Sequence, residues 1–151
     1  MTTLTEWFRS RIPDDWFDGD VEVLVDNEEI LVVGPIAEGI EPSTFRERTR
    51  DERVAIAAVA ERSFDRKVTW AVRVDDTLVR FTTVSVPVMT RLRIDERQVL
   101  DLLIDGGIAR SRSEALAWCV RLVAQHEGEW LAELRHAAAA VAEVRRRGPT
   151  C

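Results

Sequence analysis

Two adjacent glycines, Gly106-Gly107, separate two stretches that each open on a helix-capping signature, and an alternating stretch precedes them. This order of segments limits the possible folds more than any other feature of the chain. In Val88-Met89-Thr90-Arg91-Leu92-Arg93-Ile94, an extended backbone puts Val88, Thr90, Leu92 and Ile94 on one side and Met89, Arg91 and Arg93 on the other. Asp95 follows as a good N-cap, with Gln98 three residues on as its capping-box partner. Val99, Leu100, Leu102, Leu103 and Ile104 then supply the apolar side of a first helix. Glycine takes the left-handed cap conformation at little steric cost, so Gly106-Gly107 ends that helix, and Ile108 is expected to turn back into the core. Ser111, with Glu114 three residues later, opens a second helix that carries Ala115, Leu116, Cys119, Val120, Leu122 and Val123. A seven-residue strand with one polar and one apolar face is not stable alone, and pairing with the same strand of a second chain would stabilise it.

Upstream, the hydrophobic period changes repeatedly. Residues 4–11 read as a short helix ended by Pro13, and Trp7, Phe8, Trp16 and Phe17 are expected to cover the core of a first domain. Val21 to Val25 and Ile30 to Val33 are β-branched runs around the polar Asp26-Asn27-Glu28-Glu29, which predicts a hairpin ended by Gly34-Pro35. After a loop from Glu38 to Pro42, Ser43 or Thr44 is an N-cap candidate, with Glu47 as partner of Thr44. The helix is expected to run to about Phe64 and to bury Val54, Ala57, Ala58 and Phe64, with Ile56 and Ala60 nearby. Arg46, Arg50 and Arg53 recur on another face, as a solvated charged surface or as contacts to a DNA backbone. Lys67 to Val74 alternates with period two, Asp75-Asp76-Thr77 is a turn, and Leu78 to Val86 is a further strand. The fold class is therefore α+β. It comprises a ββαββ-like domain over residues 1–87, the strand-helix-helix module over 88–127, and a helical extension over 128–151.

Composition bounds the function. The chain has 151 residues and a formal net charge of −6, which argues against coating nucleic acid by bulk charge. Residues 1–87 hold 18 acidic and 11 basic side chains, whereas residues 88–127 hold six of each. Any DNA binding must then come from where the arginines stand. No catalytic constellation, Gly-rich phosphate loop or paired histidines stand out, and with no tyrosine and two histidines the chain does not read as an enzyme. Neither a cofactor nor a metal is expected: Asp14-Asp15 and Asp75-Asp76 read as turns, and His126 and His136 lack further ligands. Cys119 sits in a helical pattern and Cys151 is the last residue, so the two do not suggest a disulfide framework. The first residues lack the apolar stretch of a secretory signal and no window is apolar enough to span a membrane, so a cytoplasmic location is expected.

The order of strand, short helix, glycine turn and second helix opened by Arg110-Ser111-Arg112-Ser113-Glu114-Ala115-Leu116 resembles the ribbon-helix-helix superfamily of MetJ, Arc and CopG-type repressors. The resemblance covers residues 88–127, about a quarter of the chain. It implies a homodimer formed through the 88–94 strand and the following helices, whose two antiparallel strands enter the major groove of double-stranded DNA. By position, Met89, Arg91 and Arg93 would face the bases, where the arginine fork can donate two hydrogen bonds to guanine. Arg110, Ser111, Arg112 and Ser113 would hold a phosphate at the start of the second helix. The expected function is a sequence-specific transcriptional regulator, with association beyond the dimer left open. The N-terminal domain would serve a protein or small-molecule effector. An antitoxin and a nucleoid-associated architectural protein are the alternatives. In the tail, Trp130, Leu134 and Ala137 form an apolar stripe on a helix ended by Gly148-Pro149, and this stripe is expected to pack within the dimer.

Overall fold

The computed structural model describes residues 2–149. Cys151 lies outside them. The fold is mixed α+β, with a four-stranded sheet and six helices among the described residues. The chain divides into two compact units between Val88 and Met89.

The first unit contains α1 (Leu4–Arg9), β1 (Glu22–Val25), β2 (Glu29–Pro35), α2 (Pro42–Arg48), α3 (Arg50–Phe64), β3 (Lys67–Val74) and β4 (Thr77–Arg80). The sheet order is β1-β2-β3-β4. β1 and β2 form an antiparallel hairpin with Val25 opposite Ile30. The Asp26 carboxylate closes its turn by accepting the amides of Glu28 and Glu29 at 2.9 and 2.8 Å, a side chain standing in for a backbone turn. Two helices intervene before β3, so β3 returns parallel to β2, with Ile30 beside Val68 and Val32 beside Trp70. The β3–β4 hairpin turns through Asp75, which takes φ 52°.

One sheet face carries Ile30, Val32, Val68, Trp70 and Val72 into the main core, against Phe8, Trp16, Phe45 and Phe81. Most of the aromatic pairs are edge-to-face, among them Trp16 on Phe45 and on Trp70 at about 6 Å between centroids, which suits the ring quadrupoles. Leu31, Val33 and Ala71 form a smaller buried cluster on the other face. Gly34 leaves room for Phe17 against the sheet: a Cβ there would lie 2.2 Å from the Phe17 ring.

Several expectations need correction. The segment expected to form one helix ending at Phe64 is two helices, because Thr49 leaves helical geometry (φ −96°, ψ 0°) and turns its hydroxyl back to donate to the Phe45 carbonyl. The first of them starts at Pro42, not after Ser43 or Thr44. Proline lacks an amide hydrogen, and the first helical position needs none. On α3 the inward side is Arg53, Ile56, Ala57, Ala60 and Phe64, while Val54 and Ala58 are exposed. β4 ends at Arg80 and does not reach Val86.

The second unit holds α4 (Ile94–Asp105), α5 (Arg112–His126) and α6 (Gly128–Arg147). Its core is Leu100, Ala109 and Ala115, with Leu92, Leu103, Ile104, Leu116 and Cys119 packed around them. No helix among the described residues is long and apolar enough to cross a membrane.

Candidate nucleic-acid interface

The α4–α5 pair is held at its corner by backbone geometry. Gly107 adopts φ 78°, and the amides of Gly107 and Ile108 donate to the carbonyls of Ile104 and Leu103. This satisfies helix-end acceptors that would otherwise need water. The residue that turns into the core after the corner is Ala109, not Ile108, which stays half exposed. Ala109 joins Leu100 and Ala115 in the buried cluster of this unit.

α4 begins two residues earlier than the Asp95 cap implied. Arg93 is the cap residue, and the Glu96 carboxylate accepts its amide at 2.9 Å, so Gln98 has no part in capping. Residues 88–93 carry no strand in the single chain. They are anchored at Leu92, whose side chain packs on the core and whose carbonyl accepts from the Arg97 guanidinium at 2.6 Å. Leu92 is turned inward, while Met89, Arg91 and Arg93 are exposed, Met89 at 92%. Val88, Thr90 and Ile94, expected to share the inward side with Leu92, are exposed as well.

At the start of α5 the Ser111 hydroxyl accepts the Glu114 amide at 3.1 Å. The Glu114 carboxylate reaches back to the Arg110 amide at 2.8 Å, one residue beyond the usual capping-box partner. The amides of Arg112 and Ser113 occupy the first turn, where no carbonyl stands four residues back. Arg112 is already engaged. Its Nε and Nη2 donate to the two Asp101 oxygens, each at 2.9 Å. That bidentate bond holds the Asp101 carboxyl below the ordinary aspartate range and raises the guanidinium further. Arg110, Ser111, Arg112 and Ser113 are all exposed. No hydrogen bond or ion pair joins them to Met89, Arg91 or Arg93 among the described residues.

Two participants escaped the sequence reading. Asp101 lies 11 residues before Arg112 and meets it only because α4 and α5 fold back on each other. Arg97, on α4, ties down the segment before it through the Leu92 carbonyl. No group of three His, Cys, Asp or Glu side chains suited to a metal occurs among the described residues.

The second unit also leaves much apolar surface open. Val99, Leu102, Val120 and Val123 are exposed on α4 and α5. α6 has no buried residue, and Trp130, Leu134, Val141 and Val144 are all about half exposed. With Ala137 they follow one another at intervals of four and three residues, the spacing of a coiled-coil seam.

Residues 2–80 match the Rv1265-like protein N-terminal domain, and residues 93–145 match the Mb1296 C-terminal domain. The uncharacterized proteins Mb1296 of Mycobacterium bovis and Rv1265 of Mycobacterium tuberculosis are each 51% identical to the chain over 157 residues. Each alignment covers 95% of this chain and 69% of the relative. No solved structure matches the chain. With an identity of this size across nearly its whole length, the chain belongs to the family of Rv1265-like proteins.

Proposed function

We propose that the protein is a homodimeric, sequence-specific DNA-binding regulator in which residues 88–94 of two copies pair as an antiparallel ribbon in the major groove. In this reading the second unit is a ribbon-helix-helix module with a helical extension, and the N-terminal ββαββ-like unit modulates it. The observation that carries the reading is the unpaired segment 88–93. It leads into a capped two-helix corner, turns Leu92 inward and holds Met89, Arg91 and Arg93 outward. A second copy supplies the missing strand partner. It also gives the exposed apolar residues of α4 and α5 something to pack against.

The roles divide by chemistry. Arg91 and Arg93 suit base edges, since each guanidinium can donate two parallel hydrogen bonds. The amides of Arg112 and Ser113 and the side chain of Arg110 suit a phosphate, which sets register rather than sequence preference. Arg112 contributes less charge than its position suggests, because Asp101 compensates it. The α6 seam extends the dimer by packing against the second copy. Such a protein acts by binding, not catalysis, and works in the cytoplasm where the chromosome is.

The test is recovery of bound DNA. Full-length protein is incubated with fragmented genomic DNA of its source, the bound fragments are sequenced, and the mass in solution is measured by light scattering. A dimer that enriches a short two-fold symmetric site supports the proposal. Uniform coverage of the genome contradicts sequence specificity, and a monomer that retains no DNA contradicts the proposal entirely.

A further inference from the structure

The N-terminal unit gathers positive charge that the DNA reading does not use. Arg46 comes from α2, Arg50 from the first turn of α3, and Arg80 from the end of β4. The three side chains line one groove of about 590 Å³, beside Phe81, Glu41 and Glu47. A fourth arginine, Arg53, lies one turn further along α3 and is 7% exposed. Arg53 and Arg46 lie against the same Phe81 ring, their guanidinium carbons 4.8 and 5.8 Å from its centroid.

None of these four arginines has a carboxylate within 4.0 Å among the described residues. Arg53 Nε donates to the Thr49 hydroxyl at 2.9 Å and Nη2 to the Arg46 carbonyl at 2.6 Å, and both partners are neutral. A buried charge with only neutral partners is costly, because they do not replace the solvation it has lost. Burial first, then the nearby charges of Arg46 and Arg50, pushes the Arg53 pKa down. The carbonyl contact at the end of α2 accounts for the position of Arg53. It does not account for three more arginines from three elements lining one groove in a unit whose overall balance is acidic.

We infer that this groove binds a small soluble molecule through a phosphate or pyrophosphate group. Arg46, Arg50 and Arg80 donate to its oxygens, and Arg53, over the Phe81 ring that also lines the groove, adds positive charge nearby. A guanidinium fork matches phosphate oxygens in geometry as well as in charge. The volume fits a compact ligand. Glu41 and Glu47 at the lining, and the acid excess of residues 1–87, oppose an extended polyanion such as a DNA strand. The two carboxylates accept hydrogen bonds from the remainder of the ligand, which gives the site a preference beyond charge.

The test is calorimetric titration of the full-length protein with inorganic pyrophosphate at constant ionic strength. Wild type, Arg46→Gln/Arg50→Gln and, as a control in the second unit, Arg91→Gln are compared. Wild type and Arg91→Gln are expected to bind alike, and the double variant to lose about tenfold or more in affinity. Both groove arginines are exposed, so folding is checked by an unchanged circular dichroism spectrum; Arg80→Gln is the substitute if the double variant fails that check. Absence of wild-type binding at about 10 mM pyrophosphate overturns the inference, as does equal binding by the folded groove variant. A duplex oligonucleotide forms the second arm. DNA binding that depends on the groove arginines, with no pyrophosphate binding, assigns the charges to nucleic acid and also overturns it. Loss of DNA binding in Arg91→Gln alone bears on the ribbon and leaves the groove result intact.

Discussion

Replacing Gly34 by alanine sets two effects of opposite sign against each other. Gly34 lies in β2 opposite Val72, at ordinary strand geometry, so the substitution alone would stabilise by about 0.4–1 kcal/mol through lost freedom of the unfolded chain. Against this stands the Phe17 ring. A Cβ at Gly34 would lie 2.2 to 2.4 Å from three of its carbons, where about 3.5–4.0 Å is comfortable. The ring cannot simply swing aside, since it is stacked on Phe45 at 5.4 Å and meets Trp16 edge-on at 6.2 Å. Displacing it strains the core by about 1–3 kcal/mol and forfeits part of two aromatic contacts worth about 0.5–1.5 kcal/mol each. The net expectation for Gly34→Ala is a loss of about 2–4 kcal/mol, read from urea unfolding followed by tryptophan fluorescence. The change should register strongly, because Trp16 and Trp70 both lie in the affected core. In a Phe17→Leu background the same substitution should cost less than about 1 kcal/mol, because the obstructing ring is gone. A Gly34→Ala protein as stable as wild type, or an equal penalty in both backgrounds, would refute the reasoning.

Other consequences follow from the second unit. Ser111→Ala removes the acceptor for the Glu114 amide and should destabilise α5 by about 1 kcal/mol, while Ser111→Asp, which keeps an acceptor, should cost much less. Urea midpoints compare the two. Because Arg112 depresses the Asp101 pKa, the Asp101 contribution to stability is present above the unfolded-state pKa and is lost as pH falls through the lower folded value. A carboxyl-carbon NMR titration should place Asp101 below the ordinary aspartate range, and Arg112→Gln should return it toward that range. If Asp101 titrates identically in both proteins, the bidentate pair does not persist in solution.

How much was legible in the sequence depended on how local each signal was. The β1–β2 hairpin was readable because its strands and turn are contiguous, and Asp26 carries the turn chemistry on its own side chain. The corner at Gly106-Gly107 and the cap at Ser111 were readable for the same reason. The break at Thr49 was not, since it depends on a threonine hydroxyl donating backward and on Arg53 of the next helix donating to that hydroxyl. Nor was the inward position of Ala109 in place of Ile108, since hydrophobicity alone favours the isoleucine. Arg46 and Arg50 recur at helical spacing, but Arg80 and the Asp101 partner of Arg112 come from separate elements, and no period in the text announces them. The alternating text from Val88 to Ile94 is the opposite case. Its pattern is clear, but a strand exists only where a partner strand is supplied, and the single chain offers none.

The proposed ribbon made by two copies would read DNA through Arg91 and Arg93. Its most direct test is a gel-shift titration of the recovered genomic site with wild type, Arg91→Ala and Arg93→Ala, each verified as a dimer by light scattering. Loss of site-specific binding in both variants, with the dimer intact, is the predicted result. Normal binding of the site by either variant would contradict the assignment.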